Sequence, residues 1–176
     1  MPCTIKVLLD ACQATYRTDG LKENGVEFLA KNPDIVHSGY SFGDSITHPN
    51  TGLTAVCLVP TDSDNPIIIA YQGTEFGNVK DIMADYHIAI YHEVNHDLKA
   101  EANAFFNKMA KLHKGREIII TGHSLGGNLA QEVGLTAILA GMKGVFVRTF
   151  NSAPITTQKG KNIEEYDASK LNHVAN

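Results

Sequence analysis

The sequence has no basic run longer than a pair, and 15 Lys and Arg stand against 19 Asp and Glu for a net charge of −4. A nucleic-acid surface needs clustered positive charge, so no nucleic-acid partner is expected. No apolar run approaches the roughly 20 residues that a bilayer span requires. The first ten residues, Met1 to Asp10, do not lead from a cationic stretch into a long apolar one, so no signal peptide is visible. Cysteine is scarce: Cys3, Cys12 and Cys57 are an odd number, with no metal-ligand spacing and no CxxC pair. They read as free thiols of a reducing compartment. The expected location is cytoplasmic, or outside the cell by a route without a conventional leader. No metal or cofactor is called for.

The chain has 176 residues, 43% of them hydrophobic and 19% charged, which suits a single folded domain with a sizeable core. There is no repeat and no low-complexity tract. Residues 4–16 read as a helix with an apolar stripe. Residues 21–50 are turn-rich and carry no clear pattern, so 1–50 is expected to be a helical and irregular segment before a core at 53–176. Continuous apolar runs predict strands at 54–59, 67–72, 117–122 and 145–150. Between them, helices are expected at 79–90, 94–113 and 125–142. Alternating strands and helices imply an α/β fold with a mostly parallel sheet.

The junction at Gly122-His123-Ser124-Leu125-Gly126-Gly127 carries the chemistry. A serine between a buried strand and a buried helix sits on a sharp turn that lifts its hydroxyl above the sheet edge. The residues two positions to either side are pressed against the turn, and glycine at 122 and 126 removes the clash. The helix N-terminus turns backbone N–H groups toward the reaction centre, so Leu125 N–H is a natural oxyanion donor. A GxSxG match alone is weak, but here it lies between a strand and a helix. His123 reads as a structural histidine, because adjacent side chains on so tight a turn diverge. The histidines ahead of the elbow, His48 among them, read as structural too.

These residues resemble a known family. The stretch Ile118 to Gly127 is similar to the elbow of the class 3, fungal-type lipases. Ile69-Ala70-Tyr71-Gln72-Gly73-Thr74, followed by Asp81 to Asp85, resembles that family's oxyanion turn and the segment after it. Thr149 to Pro154 resembles its strand and loop beyond the elbow helix. The resemblance covers about 53–155 and implies an α/β-hydrolase that cleaves acyl esters, with lipids as the usual substrate and transient contact with a membrane surface. It makes Ser124 the nucleophile and Thr74 the oxyanion residue, through its backbone N–H and hydroxyl, with Leu125 N–H as partner. The segment at about 75–91 would then be the lid. Gln72 departs from the family's usual arginine, and Ile82 from a common aromatic.

A serine hydrolase of this fold takes its acid and then its histidine from beyond the nucleophile. After the elbow helix the acids are Glu164, Glu165 and Asp167, and His173 is the one histidine. Asp167 and His173 are therefore the candidate acid and base, although six residues within one short element fit poorly with two separate loops. Leu171 to Asn176 looks like the start of the next strand, after which the family supplies both residues. The chain is thus expected to be part of a longer hydrolase. The alternatives are a catalytically incomplete hydrolase fold acting as a binding or regulatory module, or residues lent by another chain. A missing strand would leave 145–150 with an unpaired edge, which predicts self-association.

Overall fold

In the computed structural model, residues 3–17, 24–73, 96–152, 155 and 171–174 are described, the last four through their backbone pairing. The helices are α1 (Ile5–Ala14), α2 (Gly25–Lys31), α3 (Pro33–His37), α4 (His96–Leu112) and α5 (Leu125–Leu139). The strands are β1 (Tyr40–Thr47), β2 (Thr54–Pro60), β3 (Ile67–Tyr71), β4 (Ile118–His123), β5 (Val145–Phe150) and β6 (Leu171–Val174). They form one sheet in the order β1-β2-β3-β4-β5-β6. The pairings β1–β2 and β2–β3 are antiparallel, and those from β3 to β6 are parallel. The carboxyl ends of β3, β4 and β5 therefore share one edge, where the β1–β2 turn also lies.

Strand β3 shows why the sheet has two cores. All five of its residues are buried, and a strand covered on both faces needs no polar alternation. Ile67, Ile69 and Tyr71 join Phe105, Phe106, Met109, Leu129 and Val133, the layer made with α4 and α5. Ile68 and Ala70 join Val7, Leu8, Ala11, Phe28 and Ile35, the layer made with α1 to α3. The period of two sends successive side chains to opposite faces. Local signals set the helix starts: Thr4 caps α1 by accepting from Val7 N–H, and Asn24 caps α2 by accepting from Val26 and Glu27 N–H. Pro33 opens α3, where its missing N–H costs nothing.

The expected strands match β2 to β5 within a residue or two. The first helix ends at Ala14 and tightens into a 3-10 turn at Thr15–Arg17. The elbow helix stops at Leu139, three residues early, and Gly141 follows at φ 77°. The helix expected at 79–90 lies outside the described residues.

The segment 1–50, expected to be helical and irregular, holds α2 and α3 and, beyond that expectation, the whole of strand β1. The strand expected to start at Leu171 is present as β6, and it pairs with β5 from Val147↔Leu171 to Phe150↔Val174, so β5 has a neighbour on that side. Among the described residues the outer edge of the sheet is then that of β6 rather than of β5. The cysteines agree with their reading as free thiols.

The layer between α4 and the sheet carries much of the apolar burial. Phe106 is 1% exposed there, and truncating a buried phenylalanine leaves a cavity that packing fills only in part. Phe106→Ala should lower stability by about 3–5 kcal/mol, read from urea unfolding.

Candidate active site

Strand β4 ends at His123 and α5 begins at Leu125, so Ser124 alone makes the turn. Its backbone sits at φ 55°, ψ −122°, a conformation rare for any residue with a side chain. Two hydrogen bonds hold it there: Ser124 N–H donates to Phe150 O at 3.0 Å, and Ser124 O accepts from Asn128 N–H at 3.1 Å. The Ser124 hydroxyl does not cap the helix that it opens. The first N–H groups of α5, Leu125 among them, lack partners within the helix. A hydroxyl and an unspent helix N-terminus thus meet at the carboxyl edge of the sheet.

The elbow glycines are required by contact. A Cβ on Gly122 would lie 2.3 Å from the Gly126 carbonyl, and one on Gly126 would lie 2.1 Å from Tyr71 O. The first turn of α5 therefore rests directly on the end of β3. That closeness brings Gly73 beside the elbow, where its own Cβ would fall 2.6 Å from His123 O.

Beyond the elbow the geometry adds residues that no local pattern marks. Gly73 N–H donates to the Tyr16 hydroxyl at 3.1 Å, so the turn after β3 is held from the far end of α1. Only the fold brings together residues 57 positions apart. At the end of β5, Gln131 Nε2 donates to Ser152 Oγ at 2.8 Å, and Ser152 donates to Thr149 Oγ1 at 2.9 Å. This chain of bonds ties α5 to the loop after β5. A cavity of about 350 Å³ opens beside Gly73 and Leu125 and runs toward the β1–β2 turn. Across that turn, Thr51 Oγ1 donates to Glu101 Oε2 of α4. His48 Nδ1 lies 3.0 Å from Glu101 Oε1, close enough for an ion pair but not aligned as a hydrogen bond.

The buried thiols and the histidine beside Ser124 are poor competitors for it. Burial pushes the Cys12 thiol up to about 12, with a contact to Thr121 Oγ1 opposing it, and burial also pushes Cys57 up to about 12. Both stay as thiols, and the thiolate is the reactive form. Partial burial lowers the His123 pKa below its ordinary value, which favours the neutral ring.

The structure brings Ser124, Leu125 and Gly73 together. Thr74, Asp167 and the expected lid at 75–91 lie outside the described residues, as does Ile82. His173 falls within β6, opposite Thr149, which in turn is opposite Gly122. Its backbone is thus level with Gly122 and two strands away, roughly 10 Å at usual strand spacing. Gln72 gives its backbone N–H to Thr54 O at 2.9 Å and is one of the residues lining the cavity.

Residues 16–175 match the family described as phospholipase-like, Tle-like phospholipase domain. No curated relative is matched at a significant level. Among solved structures, the Lip2 lipase from Yarrowia lipolytica is similar at 16% identity and TM-score 0.64, over 97% of this chain and 69% of that one. A triacylglycerol lipase whose catalytic centre is described as a serine protease triad is similar at 14% and TM-score 0.66, with coverage of 97% and 69%. Rhizomucor miehei lipase in its native propeptide complex is similar at 17% and TM-score 0.53, over 84% of this chain and 51% of that one. The chain spans about half the length of this last protein. At these identities the likeness is one of fold, and the fold is that of the α/β-hydrolases.

The glycine contacts give a direct test. Gly126→Ala drives a methyl into the backbone of Tyr71 and Gln72, neither of which can rotate away. Chemical denaturation should show a loss of about 3 kcal/mol or more.

Proposed function

The chain belongs to the Tle-like phospholipase domain family, and from that membership and the geometry around Ser124 we propose a serine hydrolase that cleaves acyl esters of lipids. The observation that carries the reading is Ser124 at φ 55°, held between β4 and α5 with its hydroxyl unspent on capping. Holding a residue in so rare a conformation costs of order 1–3 kcal/mol, and such strain clusters at functional sites.

In the proposed reaction the Ser124 Oγ attacks the ester carbonyl carbon, and the hydroxyl proton passes to the base. The carbonyl oxygen becomes an oxyanion, held by Leu125 N–H and by the N–H and hydroxyl of Thr74. As the tetrahedral adduct collapses, the carbon–oxygen bond to the alcohol breaks and the base returns the proton to that alcohol. Water then repeats the sequence on the acyl-enzyme, releasing the acid and restoring Ser124. No cofactor enters this sequence. Chain order after the nucleophile leaves Asp167 and His173 as this chain's own candidates for acid and base. The substrate's chemistry implies transient contact with a lipid surface.

A fluorophosphonate probe tests the assignment, since it reacts with activated serines. Ser124 should be labelled stoichiometrically, and Ser124→Ala should lose the label while keeping its fold by circular dichroism. Absence of label on Ser124, or label on another serine, overturns the reading. Thr74→Val should slow acyl transfer about 10²-fold, the typical loss of one oxyanion donor. Asp167→Ala and His173→Ala should each abolish labelling if those two residues serve as acid and base.

A further inference from the structure

The turn after β3 leans on a residue that the reaction does not otherwise use. The pairing of β3 with β4 ends at Tyr71↔Gly122, and the next N–H, that of Gln72, goes to Thr54 O of β2 at 2.9 Å. Gly73 N–H lies past both pairings. It donates instead to the Tyr16 hydroxyl at 3.1 Å, which gives a backbone donor beyond the sheet the acceptor that it needs. That hydroxyl also lies 2.8 Å from the place a Gly73 Cβ would occupy, and His123 O lies 2.6 Å from it. Gly73 is thus confined between the end of α1 and the elbow, with no room for a side chain. Glycine is required there, yet its backbone is the least restricted of any residue. The bond to Tyr16 fixes what the missing side chain leaves free, the orientation of the peptide between Gln72 and Gly73.

Tyr16 is itself set on the strand that carries the nucleophile. The Cys12 sulfur of α1 lies 3.5 Å from Thr121 Oγ1 of β4, three residues before Ser124. The buried Thr15 donates its hydroxyl to Cys12 O at 2.7 Å, and the 3-10 turn Thr15–Arg17 carries Tyr16 on from there. The path from Ser124 to Gly73 therefore runs through β4, the end of α1 and one phenol. Spacing along that path matters, because oxyanion donors act by being in place before charge develops. A misplacement of about 1 Å can cost roughly 10²-fold in rate.

We propose that Tyr16 is a positioning residue for acyl transfer. Its hydroxyl, acting through Gly73 N–H, holds the turn after β3 against the elbow, so that the backbone donor following Gly73 meets the oxyanion beside Leu125 N–H. The inference rests on the serine-hydrolase reading and adds to it the residue that aligns the second donor. The role involves no proton transfer at Tyr16.

The test compares a 4-nitrophenyl ester with its thionoester, in which sulfur replaces the carbonyl oxygen. Both release 4-nitrophenolate, but sulfur is the weaker hydrogen-bond acceptor, so the thionoester draws less on the oxyanion donors. Tyr16→Phe keeps the ring and removes only the hydroxyl. It should lower kcat for the ester about tenfold and leave KM within about twofold, the pattern of an interaction made mainly in the transition state. The ratio of ester to thionoester rates should fall about fivefold. Tyr16→Leu removes the ring as well, so it should unfold at lower urea than Tyr16→Phe while lowering the ratio to the same extent. If Tyr16→Phe slows both substrates equally, raises KM alone or changes neither rate, the positioning assignment is wrong while Ser124 stands. If a fluorophosphonate leaves Ser124 of the unsubstituted protein unlabelled, the serine reading fails and this inference fails with it.

Discussion

The first turn of α5 lies on the backbone of β3 with no side chain between them, and the arrangement around Ser124 follows from that contact. Gly126 sits where any Cβ would penetrate Tyr71 O. Gly122 sits where a Cβ would penetrate the Gly126 carbonyl. With both positions stripped to backbone, β4 can run into α5 through one residue. That residue is forced to φ 55°, with its hydroxyl above the sheet. The helix N-terminus and the turn after β3 then converge on the same point. Packing thus supplies one part of the electrostatic environment of Ser124, the backbone N–H groups at the start of α5.

Distant parts of the chain secure this point. Tyr16, just past α1, holds Gly73 N–H, and Ser124 N–H is held by Phe150 O at the end of β5. Thr149, Ser152 and Gln131 join the β5 loop to α5. The antiparallel β1–β2 pair brings its turn to the same edge as the parallel carboxyl ends. There it closes one side of the cavity against α4, under the ties of Glu101. The antiparallel part of the sheet therefore shapes the site, although no reacting group lies on it.

Some of this was legible in the sequence, for physical reasons. Strands buried on both faces carry uninterrupted apolar runs, and β2 to β5 could be read from theirs. The elbow is local, with its glycines and serine within six residues, so its sharp strand-to-helix turn could be foreseen. Strand β1 could not, because it is an edge strand with a bulge between Phe42 and Asp44 and only one fully buried residue. Tyr16, Thr51 and Glu101 gave no signal either, since their roles come from contacts across 50 or more positions. The start of β6 at Leu171 was legible as the next strand, and the structure pairs it with β5. Roles for Thr74, Asp167 and His173 rest on resemblance and chain order, not on described side-chain geometry.

The central claim is that acyl transfer passes through a covalent bond to Ser124. Acid-quenching the protein within milliseconds of mixing with a 4-nitrophenyl ester, followed by peptide mass spectrometry, tests it most directly. The account predicts a burst of 4-nitrophenolate matched by an acyl adduct on the peptide containing Ser124, with both absent in Ser124→Ala. An adduct on a different residue, or turnover that persists undiminished in Ser124→Ala, would contradict it.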